Sequence, residues 1–351
     1  MTPPYENIYV LYPKGVRTGG PEALHQLVDM LRKLGQSAFL VPCSGEDKER
    51  VSDYENYDAP EAPHAIDSPL NAVVAPETYA NKLNTFRLAT KYCWWLSIDN
   101  SPLFESERLL GRLVPDGPRS IMRILKHSTL SSVRHSFQLG NRKDWRHLTQ
   151  SSYAWAFISS RFDTNPSLLS DYTRLDEFAD VPLGLGSRGR SVAYNPAKGR
   201  EMLEGVIAAA PKDIEWRPIQ GYSRSEVIQL LQSTSVYLDM GHHPGKDRMP
   251  REAALAGALS LVVRRGAGAY YSDIPIPWEH KILLGRDAVT TAVDRIETVL
   301  KEVPAELEKQ AVYVRRIRGE KVQFQREVAD IFLEGRLGKD YPEYEAEGHF
   351  Q

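Results

Sequence analysis

The stretch Gly241 to Val263, GHHPGKDRMPREAALAGALSLVV, sets two His, one Lys, two Arg, one Asp and one Glu directly before a run of Ala and Leu. Pro250 has no N–H and fits only the first turn of a helix, so a helix begins between Asp247 and Pro250. Glu252 then falls in the first or second turn, where its carboxylate can accept hydrogen bonds from the two hydroxyls of a ribose. Lys246, Asp247, Arg248 and Arg251 crowd the same turn. Ala253, Ala254, Ala256 and Ala258 allow this helix to lie close against a sheet, so the charges are pinned where a ligand would meet them. A second constellation, AYNPAKGRE, ends a strand, turns at Asn195-Pro196 and opens a helix at Lys198-Gly199. Backbone N–H groups at a helix start attract an anion, and Lys198 adds a full positive charge there, which suits a diphosphate. Tyr194 and Asn195 lie in the same turn.

Three further loops carry chemistry-bearing residues. VRTGGPEALHQL offers Gly19 and Gly20, which permit positive φ and close backbone approach to a ligand. It is not G-x-G-x-x-G, so it is no dinucleotide fingerprint. WWLSIDNSP places Asp99 and Asn100 behind an apolar strand, and NAVVAPET does the same for Glu77. These three are candidates for acceptor contacts or base work. Trp94 and Trp95 could stack on a sugar, with one of the two left for the core. His242 and His243 show no partner at metal-ligand spacing, so no metal site is expected. Neither G-x-S-x-G nor G-x-x-x-x-G-K-[ST] occurs, which removes serine-hydrolase and P-loop chemistry.

The elements that must position these residues follow from periodicity. NIYVLYP, a Gly-rich loop, PEALHQLVDMLRKLG and SAFLVP read as strand, loop, helix and strand, a parallel βαβ unit. Pro21 suits the first turn of that helix and Gly35 its stop. Further apolar runs follow at NAVVAP, KYCWWLSI and YAWAFISS. Residues 44–69 are acidic, Pro-rich and aperiodic, and read as a surface loop or partly mobile insertion. A second βαβ series starts near residue 190: RSVAYNP, AKGREMLEGVIAAAP, IEWRPIQG, SRSEVIQLLQS with a Ser223/Glu226 capping box, SVYLDMG, the charged stretch with its helix, and LSLVV. ADVPLGLGSRGR between the halves reads as a hinge. A long charged helical pattern runs from about 305 to 335.

Bulk composition narrows the classes. A chain of 351 residues suggests two domains, and 42% hydrophobic with 26% charged residues is globular composition. Net charge is −2, so no nucleic-acid partner is expected. Residues 108–147 are the exception, with nine Lys or Arg against two acids. They are a candidate for peripheral contact with anionic lipid or a lipid-diphosphate acceptor. Two cysteines, Cys43 and Cys93, make no disulfide or zinc framework, and no apolar run of membrane-spanning length or secretory signal is evident. A cytoplasmic location is the expectation.

Together these residues resemble the GT-B type glycosyltransferases, in particular the retaining, family 4-like group that builds bacterial surface polysaccharides. TGGPEALHQLVDMLRKLG resembles their first loop and helix, YNPAKG their Lys-Gly donor loop, and PREAALAGALSLVVRRGAG their Glu-Ala helix with the strand and Gly-rich loop after it. The resemblance implies two Rossmann-like doubly wound parallel-sheet domains facing across a cleft. It implies boundaries at 1–183 and 184–318, with 319–351 returning to the first domain. It places Lys198 on a donor diphosphate, Glu252 on the ribose, Gly221 and Tyr222 near the base, and Gly19 and Gly20 under phosphates or acceptor. Two features depart from the family: Ala193 and Val192 stand where it often has Arg, and Pro244 where it has an earlier Glu. Arg248 or Arg251 would replace the first and Asp247 the second. The implied reaction is hexosyl transfer from a nucleotide sugar to a sugar or lipid-linked acceptor, metal-independent and without cofactor. The alternatives are a GT-B-like binding protein without catalysis, or a sugar-nucleotide epimerase.

Overall fold

A computed structural model describes residues 5–45, 47–101, 144–178 and 188–338. The chain divides into two compact units, residues 1–171 with 322–351, and residues 172–321. The hinge expected at 179–190 lies almost wholly outside the described residues, as does nearly all of the basic segment 108–147.

Unit 1 contains β1 (Asn7–Pro13), α1 (Gly19–Lys33), β2 (Ala38–Ser44), β3 (Asn71–Pro76), β4 (Thr90–Trp95), β5 (Trp145–Thr149), α2 (Ser152–Arg161) and β6 (Ser167–Leu168). Every pairing is parallel, in the order β2-β1-β3-β4-β5-β6. The central strands are buried along almost their whole length, which explains continuous apolar runs such as NAVVAP where a one-sided sheet would alternate. YAWAFISS, one of those runs, is helical: Ser151 caps α2 by accepting the Ala154 N–H. α1 starts at Gly19, two residues before Pro21, and ends where Gly35 turns to φ 83°.

The acidic stretch 44–69 is tied down more than its composition suggests. Tyr54, Tyr57 and Ala59 are buried, and Asp67 accepts the backbone N–H groups of Arg87, Leu88 and Ala89. Buried aromatic residues in an otherwise polar segment anchor it without periodicity.

Unit 2 contains β7 (Ser191–Tyr194), α3 (Arg200–Ala209), β8 (Glu215–Pro218), α4 (Arg224–Gln232), β9 (Val236–Asp239), α5 (Arg248–Leu255), β10 (Leu259–Val263), β11 (Lys281–Ile282), α6 (Ala288–Lys301) and α7 (Val303–Lys309). The last helix, α8 (Ala311–Val328), begins in this unit, and its residues from Val322 belong to unit 1. The predicted long helix is thus interrupted at Gln310, whose side chain bonds the backbone of Ser260. The sheet is again wholly parallel, in the order β11-β10-β9-β7-β8. The winding reverses between β1 and β3 in unit 1 and between β7 and β9 in unit 2. Ligands in doubly wound sheets bind outside the carboxyl ends of the strands at such a reversal. Among the described residues, no helix is long and apolar enough to cross a membrane.

Candidate donor site in unit 2

The loops after β7 and β9 meet at the winding reversal of the second sheet. After β7, Asn195 accepts the Ala197 N–H through its side chain and the Lys198 N–H through its carbonyl, a tight turn that aims Lys198 across the sheet end. Gly199 then caps α3 at φ 62°, and a Cβ there would overlap the Met240 carbonyl. Gly241, Gly266 and Gly268 are packed as closely: a Cβ on Gly241 would lie 2.6 Å from the Lys198 side chain, and one on Gly268 2.7 Å from His243 Cδ2. Three loops therefore touch backbone to backbone around Lys198 and His243.

Lys198 Nζ is 2.6 Å from Asp247 Oδ2 and 3.5 Å from Asp239 Oδ2. Burial disfavours its ammonium, but the two carboxylates outweigh burial and raise its pKa above the ordinary lysine value. Burial likewise works against ionised Asp247, yet the hydrogen bond from His243 and the Lys198 charge hold its carboxyl below the usual range. His243 Nδ1 lies 2.9 Å from the same Asp247 Oδ2. Asp239, wholly buried, also accepts the Tyr237 hydroxyl and the Gly241 N–H.

α5 presents the second group. Glu252 is buried at its middle, and its Oε1 accepts from Arg224 Nη1 at 2.7 Å, with Arg248 Nε at 3.6 Å. Arg224, the first residue of α4, also donates from Nε to Glu177 Oε2 at 2.9 Å. Gly221, at φ 76°, and the exposed Tyr222 precede the Ser223/Glu226 capping box of α4. Tyr194 meets Trp216 edge-on at 5.9 Å between ring centres.

Several expected residues stand differently. Arg251 points inward, fully buried, donating to Glu320 Oε2 at 3.0 Å and to the Lys246 carbonyl at 2.8 Å. It is a packing cation between α5 and α8. In unit 1, Gly19 and Gly20 are helical and have no positive φ; that conformation occurs at Gly15. Trp94 and Trp95 are both fully buried, donating to the Leu169 carbonyl and to His147, so neither offers a face to a sugar. Glu77 is buried as well: it accepts the Leu96 N–H at 2.8 Å, and burial pushes its carboxyl up to about 7. Asp99 follows β4 as expected, accepting the Tyr153 hydroxyl at 2.6 Å, with Asn100 beside it in a short 3-10 turn.

Asp239, His243, Arg224 and Glu177 were not singled out as partners in the sequence. The signal for the first two was present: Asp239, His243 and Asp247 are spaced four apart, and one ligand atom from each lies within 4.8 Å of the others. His243 thus stands between two carboxylates at four-residue spacing, where no such partner was expected. Arg224 and Glu177 carry no local pattern, because only the fold brings them to Glu252.

No protein-family model and no curated protein matches this sequence. Solved structures match in fold. The chain is similar to the S. aureus TarM G117R mutant solved with fondaparinux, alpha-GlcNAc-glycerol and UDP, at TM-score 0.51 and 11% identity over 76% of this chain. It spans only 56% of the TarM chain. It is similar to WaaG, a glycosyltransferase involved in lipopolysaccharide biosynthesis, at TM-score 0.60 and 11% identity, covering 93% of this chain and 99% of WaaG. It is similar to Anabaena Alr3699/HepE in complex with UDP-glucose, at TM-score 0.60 and 14% identity, covering 92% and 98%. At these identities the likeness is one of fold: two Rossmann-like parallel α/β units of the GT-B kind, the architecture expected from the sequence.

Proposed function

We propose that the chain transfers a sugar from a nucleoside-diphosphate sugar to an acceptor hydroxyl, with the donor held by unit 2. The observation that carries this reading is the meeting of Lys198 and the α5 entrance at the winding reversal between β7 and β9. The departing nucleoside diphosphate gains negative charge as the sugar–oxygen bond breaks, and fixed cations in a preorganised site stabilise it. Lys198 and Arg248 take that role. Arg224 holds one oxygen of Glu252, which leaves the other for ribose hydroxyls. Tyr194, Asn195, Gly221 and Tyr222 line the nucleoside side. Asp99 and Asn100 are the acceptor-side candidates of unit 1; Glu77 drops out because its carboxylate is engaged by backbone. The UDP and UDP-glucose named for two of the similar structures, and the ADP of a third, support a nucleoside-diphosphate donor. Retention of configuration and a role in surface-polysaccharide synthesis rest on the sequence resemblance. Contact of 108–147 with anionic lipid rests on charge alone.

Thermal shift of the purified protein against UDP, GDP, CDP, dTDP and ADP, repeated with Glu252→Ala, tests the reading. A ligand at about a hundred times its dissociation constant adds about 2.7 kcal/mol of stability. One nucleoside diphosphate should raise the midpoint, and Glu252→Ala should abolish the rise. A screen in which none does would leave the GT-B-like binding protein as the better description. NMR of the product anomer tests retention, and vesicle co-sedimentation tests the lipid contact.

A further inference from the structure

We propose that Glu177 is a positioning residue that keeps Glu252 open to a ribose. It claims one edge of the Arg224 guanidinium and so stops that group from closing over both Glu252 oxygens. The proposal rests on the donor reading above and adds to it a residue outside the strand-end loops.

Glu177 lies in the short turn Asp176–Phe178, in the stretch that opens unit 2. The chain is fixed on both sides of it. Phe178 is buried in a core shared with Ile228 and Leu231 of α4 and with Ala253 and Ala254 of α5. Thr173 donates its N–H and its hydroxyl to Glu320 Oε2, at 3.0 and 3.2 Å. Arg174 donates to Glu177 Oε1 from within the same stretch. The Glu177 carboxylate is thus held beside α4 and α5 by packing as well as by charge.

A guanidinium offers five N–H donors in a rigid planar fork and stays charged. Arg224 divides its fork between two carboxylates. Nε and Nη2, which form one edge, both meet Glu177 Oε2, at 2.9 and 2.5 Å. Nη1 meets Glu252 at Oε1, 2.7 Å away. Arg248 approaches the same Oε1, at 3.6 Å. Both cations therefore converge on one oxygen of Glu252, and Oε2 is the oxygen that ribose hydroxyls would use. A guanidinium edge pairs best with a carboxylate through two parallel N–H···O bonds. Without Glu177, the carboxylate already in reach of Arg224 is Glu252. A turn of the fork would engage Oε1 and Oε2 together, and the ribose would meet an occupied acceptor. Glu177 acts through Arg224 and need touch no substrate atom.

The test is calorimetric titration of the full chain with nucleoside diphosphates in ribose and 2′-deoxyribose pairs: UDP with dUDP, GDP with dGDP, ADP with dADP and CDP with dCDP. The wild type should bind one ribonucleotide about tenfold tighter than its deoxy partner, the size expected for one hydrogen bond to a charged acceptor. Glu177→Ala should weaken the ribonucleotide about tenfold and the deoxy form little, so that the preference disappears. Its donor KM should rise while kcat stays near that of the wild type. Glu177→Ala combined with Arg224→Met should regain the preference, because the misdirected fork is gone. Glu177→Gln keeps the shape without the charge; it should lose part of the preference and serves if Glu177→Ala does not fold. An unchanged preference in the Glu177 variants overturns the proposal. So does an equal fall for ribo and deoxy forms, which a merely structural role would give, or a double variant as indifferent to the 2′-hydroxyl as Glu177→Ala. Wild-type binding without ribose preference overturns the proposal and leaves the diphosphate site standing. A wild type that binds no nucleoside diphosphate overturns the donor reading itself, and the proposal with it.

Discussion

Lys198 Nζ lies 2.6 Å from Asp247 Oδ2, although the two residues are 49 positions apart. The contact joins the ends of two neighbouring parallel strands, β7 and β9, at the reversal of the second sheet. It also sets the first requirement for the proposed donor. A diphosphate reaches Lys198 only by competing with Asp247.

We predict that Lys198→Ala lowers turnover by about a hundredfold or more, corresponding to roughly 2.7–4 kcal/mol of lost transition-state stabilisation. The chain should stay folded, with the midpoint lowered at neutral pH by the loss of the ion pair to Asp247. Steady-state kinetics on the nucleotide-sugar donor decide it, and near-wild-type turnover would sink the assignment.

The same pair predicts a pH window. The Lys198 pKa is raised in the folded chain, so its stabilisation is fully present below the unfolded lysine value of about 10.4 and fades as pH rises through the folded value above that. The Asp247 pKa is lowered, so its stabilisation is present above the unfolded value of about 3.9 and fades as pH falls through the folded value beneath it. The midpoint difference between wild type and Lys198→Met should be flat from about pH 5 to 9 and shrink at both extremes. A difference that changes steadily across neutral pH would contradict the ion pair.

Glu77 behaves in the opposite sense. Burial raises its pKa to about 7, above the ordinary glutamate value of about 4.3, so the folded chain binds the extra proton between them. Stability from this group therefore falls as pH rises through that interval. Glu77→Gln keeps an acceptor for the Leu96 N–H and should remove this slope, leaving the variant relatively more stable at pH 8 than at pH 4. Calorimetry at both values checks it; equal slopes in the two proteins would refute the buried-carboxyl account.

Glu320 holds Arg251 at 3.0 Å and Lys246 at 2.9 Å, and accepts the Thr173 N–H at 3.0 Å. We expect Glu320→Ala to cost about 3–5 kcal/mol, because it strands a buried guanidinium. Adding Arg251→Met should recover much of that loss. A denaturant cycle with no recovery would show that Arg251 is not the penalised group.

Much of this was legible in the sequence because parallel strands and amphipathic helices leave periodic marks. The βαβ order, the Ser223/Glu226 capping box and the start of α5 near Pro250 all stand where periodicity put them. Lys198 and Glu252 were readable as groups behind strands. What the sequence hid was direction and pairing. Arg248 and Arg251 look alike in PREAALAG and its approach, yet a rotation of three residues around α5 sends Arg251 to Glu320. Trp94 and Trp95 alternate faces of β4, and both faces are covered, so neither reaches a ligand. Glu77 sits at a strand end like a site residue, but backbone N–H groups claim it.

The close approach of Gly199, Gly241, Gly266 and Gly268 has a further consequence, for how tolerance to substitution is distributed along the chain. At these positions nearly every replacement collides with neighbouring backbone or with the side chain the pocket is built around. A saturation library selected for activity should therefore be emptiest where there is no side chain to lose. Nearby Tyr222, half exposed, and the exposed His242 should admit broad variety. Altered donor preference is then to be sought at those permissive neighbours, with the glycine frame left as it is.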